Sequence, residues 1–196
     1  MDFFEAVKAR HSIRSFQSRP IEEEKMNRII ETVNLAPSAG GLQAYEIVVV
    51  KDSRRKNELV KAAGGQSFVS EAPACLVFLA YPERSSRKYG KRGSKLYCLQ
   101  DATIAAAYAQ LAATVLGLAS TWVGAFDEEV VAKVIEAPRS KRPIAILPIG
   151  YAAETPEITP RRRISEIVCS ETSGAPYTSF SFTDESFKRL TWESRP

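Results

Sequence analysis

The stretch from Leu96 to Leu118 constrains the fold most strongly, because it is helical in composition and apolar on almost every side. Alanine, the strongest helix former, fills seven positions between Ala102 and Ala113. A surface helix needs only one apolar face, whereas a helix that is apolar all round is buried. In a chain of 196 residues, we therefore expect this helix to pack on its own sheet and also to lie in an interface between subunits.

Short helical and strand patterns surround this helix. Phe3, Phe4 and Val7 predict a first helix with an apolar face, and Met26, Ile29, Ile30 and Val33 fall on one face of a second. Two helices precede the first strand, a run of β-branched residues that indicates a buried strand, and this order favours an α+β fold. The predicted helices are 3–10, 20–36, 53–63, 96–118 and 127–137, and the predicted strands are 45–52, 74–81, 120–126 and 142–151.

The positive charge of the chain is concentrated in one segment. Between Glu83 and Lys95 there are six basic residues and one acidic residue, whereas the remainder is close to neutral. A Ser/Gly-rich segment of this kind is typical of a solvated loop, and a local patch does not make a face for a nucleic-acid duplex. We expect no nucleic-acid partner.

Several other classes of protein are disfavoured by the sequence. No apolar run is long enough for a membrane span, and the start lacks the apolar core of a signal peptide, so we expect a cytoplasmic protein. Cys75, Cys98 and Cys169 are widely spaced and are expected to be structural thiols. The single histidine, His11, does not support a metal site.

Phosphate recognition must come from side chains, because the chain contains neither a glycine-rich dinucleotide fingerprint nor a P-loop. Two arginine clusters could provide it. The first contains Arg10, Ser12 and Arg14, and the second is Arg161 to Arg163. Guanidinium groups match the geometry of phosphate oxygens, and a serine hydroxyl adds a short donor.

Four segments in order, RHSIRSF, APSAGGLQAYEIVVV, LASTWVGAF and PIGYAAETPEITPRRR, resemble successive signatures of the FMN-dependent nitroreductase family. The resemblance covers residues 1–168. It implies an α+β sandwich, in which a central, mostly antiparallel sheet is flanked by helices and two protomers interlock as a homodimer with FMN at their interface. We expect residues 169–196 to be a separate tail or arm, whose several aromatic side chains favour packing on another surface; a disordered terminus is the alternative.

The resemblance also implies a set of FMN contacts. Arg10, His11 and Ser12 would approach the phosphate and ribityl chain, Arg14 the N1 and O2 edge of the ring, and Gln43 its polar edge. Backbone N–H groups at Gly124 and Ala125 would face flavin N5, and no side chain would be catalytic. The remaining implied contacts are Pro37, Ser38, Ala39 and Gly40 from the other protomer, Pro148, Ile149 and Gly150 beside the ring, and Arg161 and Arg163 at the phosphate.

The implied activity is hydride transfer from NAD(P)H through flavin N5 to a small oxidised acceptor, such as a nitroaromatic, a quinone, an enone or free flavin. In such enzymes the cofactor carries out the chemistry and the protein orients it. An alternative is a protein that binds or delivers flavin without a physiological nicotinamide reaction. The basic segment from Arg84 to Lys95 is expected to favour NADPH modestly over NADH, in a salt-sensitive manner.

Overall fold

The structure, a computed structural model, describes residues 1–177. The chain divides into a compact unit, Met1–Pro156, and a second unit that begins at Glu157. The predicted boundary after Val168 stays a prediction, and the aromatic residues from Phe180 onward, which suggested a packed arm, lie outside the described residues.

The first unit contains four strands and seven α-helices among its described residues, and the second contains one short helix, α8 (Ile164–Ile167). A 3₁₀ turn (Ala39–Gly41) precedes the first strand, and a π-helical turn (Gly93–Tyr97) precedes the longest helix. The helices are α1 (Phe3–Ala9), α2 (Glu23–Asn34), α3 (Ser53–Ala62), α4 (Phe68–Glu71), α5 (Pro82–Arg92), α6 (Cys98–Val115) and α7 (Glu128–Val134). The strands are β1 (Tyr45–Val50), β2 (Ala74–Ala80), β3 (Ala119–Ser120) and β4 (Arg142–Gly150).

The strands form one sheet in the order β1-β2-β4-β3, and every pair is antiparallel. Strand β2 is central and entirely buried. Its alternate side chains point to opposite faces, as in any strand. Leu76 and Phe78 pack against α2 and α6, whereas Val77 and Leu79 pack on the side that α3 and α7 cover. The predicted α+β fold, with an antiparallel sheet between helical layers, is confirmed.

Helix α6 confirms the predicted long alanine-rich helix. Much of its surface is buried against the sheet and α2 of the same chain, and small alanine side chains allow this close approach. A stripe that includes Ala107 and Val115 stays exposed. The apolar composition of α6 is therefore explained mostly by packing within the chain, and only this narrow apolar stripe remains exposed to contact another surface.

The apolar faces of the first two helices are only partly buried, and the prediction of a buried first strand was wrong. Phe3, Phe4 and Val7 are exposed, and only Ala6 of helix α1 is buried. Ile30 is also exposed, although Met26, Ile29 and Val33 of α2 are buried. Strand β1 is only half buried over most of its length, because it lies at an edge of the sheet.

Two secondary-structure predictions were also wrong. The basic segment is helical, forming α5 and the π-helical turn, and its chain reverses at Gly90, whose backbone angles are not helical. Gly93 permits this hairpin, since a Cβ there would lie 2.5 Å from the Ser85 carbonyl oxygen. The predicted strand at 120–126 is reduced to Ser120 in β3 and an isolated bridge between Val123 and Ile146.

Candidate functional site

Residues 10–14, the N-terminal segment, lie beside the end of the sheet. Ser12 bridges Ser120 of β3, and the Ile13 amide donates to the Ser120 carbonyl at 3.2 Å. Ile13 is buried, whereas Ser12 and Arg14 are exposed. The alternation of an extended chain therefore presents a hydroxyl and a guanidinium on the same outer side. Arg10 and His11, which precede them, are half buried.

The residues that follow β4 hold this segment in place. The Gln17 amide donates to the Tyr151 carbonyl at 2.9 Å, and the Ala153 amide donates to the Ser15 carbonyl at 3.0 Å. The Arg14 amide donates to the Glu154 carboxylate. Backbone pairing on both sides makes the position of the exposed Ser12 and Arg14 side chains depend on the sheet, which is a rigid element.

Tyr151 joins this region to the start of α2. Its hydroxyl donates to Glu22 Oε2 at 2.6 Å and accepts from Lys25 Nζ at 2.8 Å, and the Arg19 guanidinium lies 4.0 Å from its ring centroid. The hydrogen bond from Tyr151 is the main cause that lowers the pKa of Glu22 to about 2, and the Arg19 and Lys25 charges act in the same direction. This exposed network fixes the chain between the N-terminal segment and α2.

Residues 37–43, the glycine turn, form the second predicted group. Gly40 and Gly41 have φ angles of 60° and 70°, which favour glycine, and Gln43 also has a positive φ. The Gln43 amide donates to Ser38 Oγ at 2.9 Å, and its side chain donates to the Asn34 carbonyl at 2.8 Å. The side-chain amide of Gln43 therefore has a hydrogen-bond partner within its own chain, in addition to any contact that it makes with a ligand.

A buried carboxylate holds the glycine turn on α6. Asp101 is almost fully buried, and its two oxygens accept from the backbone amides of Ala39 at 2.8 Å and Ala44 at 3.1 Å. A carboxylate in this setting is stabilised by charge-assisted hydrogen bonds, which offset part of the cost of burial. Asp101 was missed from the sequence, although it is the only acidic residue in α6, and an isolated acid in an apolar helix is the signal that could have found it.

Helix α5 also contacts the glycine turn. Arg84 Nη1 donates to the Gln43 carbonyl at 2.6 Å. A Cβ on Gly40 would lie 2.3 Å from Tyr89 Oη and 2.7 Å from Lys88 Nζ. The basic helix and the turn are therefore one continuous surface.

The residues predicted near the flavin ring occupy two settings. Gly124 and Ala125 are exposed, just beyond the bridge between Val123 and Ile146. Pro148, Ile149 and Gly150 lie inside β4, where their neighbours are β2 and β3. A Cβ on Gly150 would lie 2.5 Å from Pro73 Cδ, so this position requires glycine for packing. Their contacts with a cofactor stay predictions.

Arg161 and Arg163 belong to the second unit and have exposed side chains. Arg161 Nη1 donates to the Thr159 carbonyl at 3.0 Å, and Arg162 pairs with Glu166 at 3.2 Å. The predicted role of Arg161 and Arg163 at a phosphate stays a prediction.

The N-terminal segment and the glycine turn lie at opposite ends of the sheet. Ala74 of β2 pairs with Ile149, close to the N-terminal segment, whereas Ala80 pairs with Tyr45, just after the glycine turn. Seven residues of strand separate these ends, which corresponds to about 20 Å. One chain therefore does not bring the two groups together around a ligand the size of a flavin ring.

An apolar groove of about 720 Å³ lies between α1, α2 and α6. Leu35 is 78% exposed and Val115 is 49% exposed in this groove, and Phe3 at its rim is 63% exposed. Apolar surface of this kind on one face of a protein commonly marks an interaction site.

The cysteine thiols take no part in these groups. Cys75 and Cys98 are buried, and burial raises the pKa of Cys75 to about 12, so it stays a protonated, unreactive thiol. Cys169 is exposed, contrary to the expectation of a buried structural thiol. Among the described residues, no group of three or more potential ligands could hold a metal ion, and none of the described helices has the length and hydrophobicity to cross a membrane.

Comparisons with known proteins agree on one family. The model of the Nitroreductase family matches residues 7–70 and 54–151. A putative NADH dehydrogenase/NAD(P)H nitroreductase of Methanothermobacter thermautotrophicus is 28% identical over 160 residues, 80% of each chain. The FMN reductase [NAD(P)H] of Bacillus subtilis is 32% identical over 163 residues, 76% of this chain and 66% of that protein. The solved NADPH:FMN oxidoreductase of Vibrio harveyi, complexed with NAD+, has a TM-score of 0.79 and 28% identity, and the match covers 91% of this chain and 79% of that one.

Proposed function

The chain belongs to the nitroreductase family, and from this premise we propose that it uses FMN to carry hydride from NAD(P)H to a small oxidised acceptor. Relatives that are named FMN reductase and NADPH-flavin oxidoreductase support this activity. The acceptor belongs to the class of small oxidised molecules that includes nitroaromatics, quinones, enones and free flavin.

The chemistry of the available donors fits FMN. Arg10, Ser12 and Arg14 offer cations and a hydroxyl beside the sheet, which suit a phosphate and the polar edge of the ring. The glycine turn offers backbone without large side chains, which suits a flat ring at close approach. Gly124 and Ala125 would face N5. When bound, FMN supplies the centre that accepts and releases hydride.

The role of the protein in this proposal is electrostatic and positional. Reduction places negative charge on the pyrimidine edge of a flavin, and Arg14 is an exposed cation whose backbone amide is held by Glu154. A cation that is preorganised at this edge stabilises the charge without reorganisation during the reaction. No side chain is needed as a nucleophile or general base.

A homodimer is part of the proposal. The single observation that carries it is the separation of about 20 Å between the N-terminal segment and the glycine turn along β2. Two chains related by symmetry could place the glycine turn of one beside the N-terminal segment of the other. By the same argument Gln43, which belongs to the glycine turn, would reach the flavin from the partner subunit. The apolar groove between α1, α2 and α6 supplies surface for such an interface.

The test is the visible spectrum of the purified protein during anaerobic titration, first with FMN and then with NADH or NADPH. We expect stoichiometric flavin uptake and bleaching of the flavin band by the nicotinamide. Flavin uptake without bleaching by either donor would favour the alternative of a flavin-binding or flavin-delivering protein. A protein that takes up no FMN would contradict both.

A further inference from the structure

The cations of α5 have no acidic partners in the described chain. Exposed cations elsewhere form ion pairs, such as Arg19 with Glu22 and Lys61 with Glu58, each at 2.7 Å. Among residues 1–177 no carboxylate lies within ion-pair distance of five cations in α5 and the following turn. These are Arg87, Lys88, Lys91, Arg92 and Lys95. The helix thus presents positive charge that residues 1–177 do not neutralise.

Two of these cations lie on a pair of tyrosines. The rings of Tyr89 and Tyr97 meet edge to face, with centroids 5.1 Å apart. Lys88 Nζ lies 5.4 Å from the Tyr89 centroid, and the Arg92 guanidinium carbon lies 5.5 Å from the Tyr97 centroid. Arg92 Nε also donates to the Tyr97 hydroxyl at 3.0 Å. Cation–π contacts and this hydrogen bond restrict where the two charges can move.

This cluster adjoins the glycine turn, because Lys88 Nζ and Tyr89 Oη are the nearest atoms to a Cβ built on Gly40. In the proposed function, the phosphate of FMN is bound by the first arginine cluster, which begins at Arg10. The charge on α5 is therefore additional to what FMN requires, and it is available to a second anionic ligand at the same site.

We propose that Lys88 and Arg92, held on the Tyr89–Tyr97 pair, bind the 2′-phosphate of NADPH in the active site to which the glycine turn contributes. This inference rests on the proposed function, since it requires the glycine turn to lie at the flavin. NADPH and NADH differ only in this phosphate, which carries close to two negative charges. Two unpaired cations beside the site would favour the phosphorylated donor, and their exposure makes the preference sensitive to salt.

The test measures binding of 2′,5′-ADP, a non-reacting probe, to the flavin-loaded protein by calorimetry, with 5′-AMP as the probe that lacks the 2′-phosphate. The variant is Lys88→Ser with Arg92→Ser. We expect each substitution to weaken 2′,5′-ADP binding about fivefold and the pair about 20-fold at low salt, with a smaller effect at high salt. The ratio of kcat/KM for NADPH to that for NADH should fall by a similar factor.

The matched control is Lys51→Ser with Arg54→Ser, which removes the same charge from exposed positions at the start of α3, where neither side chain forms an ion pair among residues 1–177. It should leave the donor ratio and the 2′,5′-ADP affinity unchanged. The conservative double variant, Lys88→Arg with Arg92→Lys, keeps both positive charges and should therefore keep most of the affinity for 2′,5′-ADP. If the two side chains acted only through packing, the affinity would not depend on keeping these charges.

The outcomes separate this inference from the proposed function. If wild type is reduced by either donor but 2′,5′-ADP binds wild type and the α5 variant equally, the inference is overturned and the function stands. If wild type takes up no flavin, the function fails, and 2′,5′-ADP titration of the same protein still reports on Lys88 and Arg92. Weakened oligonucleotide binding with unchanged 2′,5′-ADP binding would assign the surface to nucleic acid and refute the proposal.

Discussion

Replacement of Asp101 by asparagine should loosen the glycine turn. The side chain is buried and accepts two backbone N–H bonds, from Ala39 and Ala44. Asparagine keeps the shape but offers one oxygen, so its NH₂ group must face one of the two backbone donors. A hydrogen bond to a charged group contributes about 1.5–3 kcal/mol, and an unpaired buried donor costs about 1–3 kcal/mol. Since removal of a buried charge offsets part of this loss, we expect about 2–4 kcal/mol of destabilisation.

Asp127→Asn is the matched control. Asp127 also accepts two backbone N–H bonds, from Glu129 and Val130, but it is exposed at the N-terminus of α7. Asparagine caps helices nearly as well as aspartate, so this change should cost only about 0.5 kcal/mol. The two variants share the same chemical change. Asp127 is exposed and accepts both bonds on one oxygen, which asparagine retains, whereas Asp101 is buried and uses both of its oxygens.

The assay is urea unfolding at one fixed protein concentration, together with hydrogen exchange at the Ala39 and Ala44 amides. In the Asp101→Asn variant, at least one of these amides should exchange faster than in the wild type. The increase should be larger than the loss of global stability alone would cause. FMN affinity should fall as well, because the turn is proposed to contact the flavin of the partner subunit. If Asp101→Asn is as mild as Asp127→Asn and both amides stay protected, the assigned role of Asp101 is refuted.

Two further predictions concern stability and assembly. Tyr151→Phe removes the donor to Glu22, whose pKa is lowered from 4.5 to about 2 in the folded chain. A carboxylate whose pKa is lower in the folded chain stabilises the fold at pH values above its unfolded pKa, and this stabilisation is lost as the pH falls through the folded pKa. Urea unfolding should therefore show the wild type to be more stable than the variant at about pH 6, and this difference should shrink towards about pH 2. A difference in stability that does not depend on pH would contradict this linkage. Val115→Glu places a charge in the apolar groove and should shift light-scattering mass from dimer to monomer, whereas Val130→Glu, on the exposed side of α7, should not. A dimer unaffected by Val115→Glu would exclude the groove from the interface.

Local sequence patterns predicted most of the fold. The helix α6 was recognised from its alanine content, and β2 was predicted at 74–81, where all seven residues of the observed strand are buried. The predicted helix 53–63 is α3, and it ends before Gly64 and Gly65, which both have positive φ. These features depend on propensity and on burial of one element, which are visible in a short window of sequence.

The errors arose where a distant contact decides the outcome. The basic segment is helical because it folds back at Gly90 and packs Ser85 on Gly93, a contact that no local pattern shows. The residues after Ser120 leave the sheet, although Val123 returns to bridge Ile146. Phe3 and Phe4 give helix α1 an apolar face, but the structure leaves that face exposed, which a local pattern does not show.

The candidate site was only partly within reach of the sequence. The motifs predicted the N-terminal segment and the glycine turn as parts of the site, and the length of β2 that separates them came only from the structure. The supporting residues Asp101 and Tyr151 were missed, because their partners are far away in sequence: Asp101 holds Ala39, and Tyr151 holds Glu22. Such contacts between distant positions need the three-dimensional structure.

The central claim, an FMN site shared by two chains, is tested most directly by subunit complementation. Arg10→Ala with Arg14→Ala damages the N-terminal segment, and Asp101→Asn damages the glycine turn, so each variant homodimer should bind FMN weakly. A purified heterodimer that carries one variant in each chain would contain one site with both defects and one intact site. We predict about one tight FMN per heterodimer, with half the wild-type rate of reduction by NAD(P)H. A heterodimer that binds FMN no better than either variant homodimer would contradict the account.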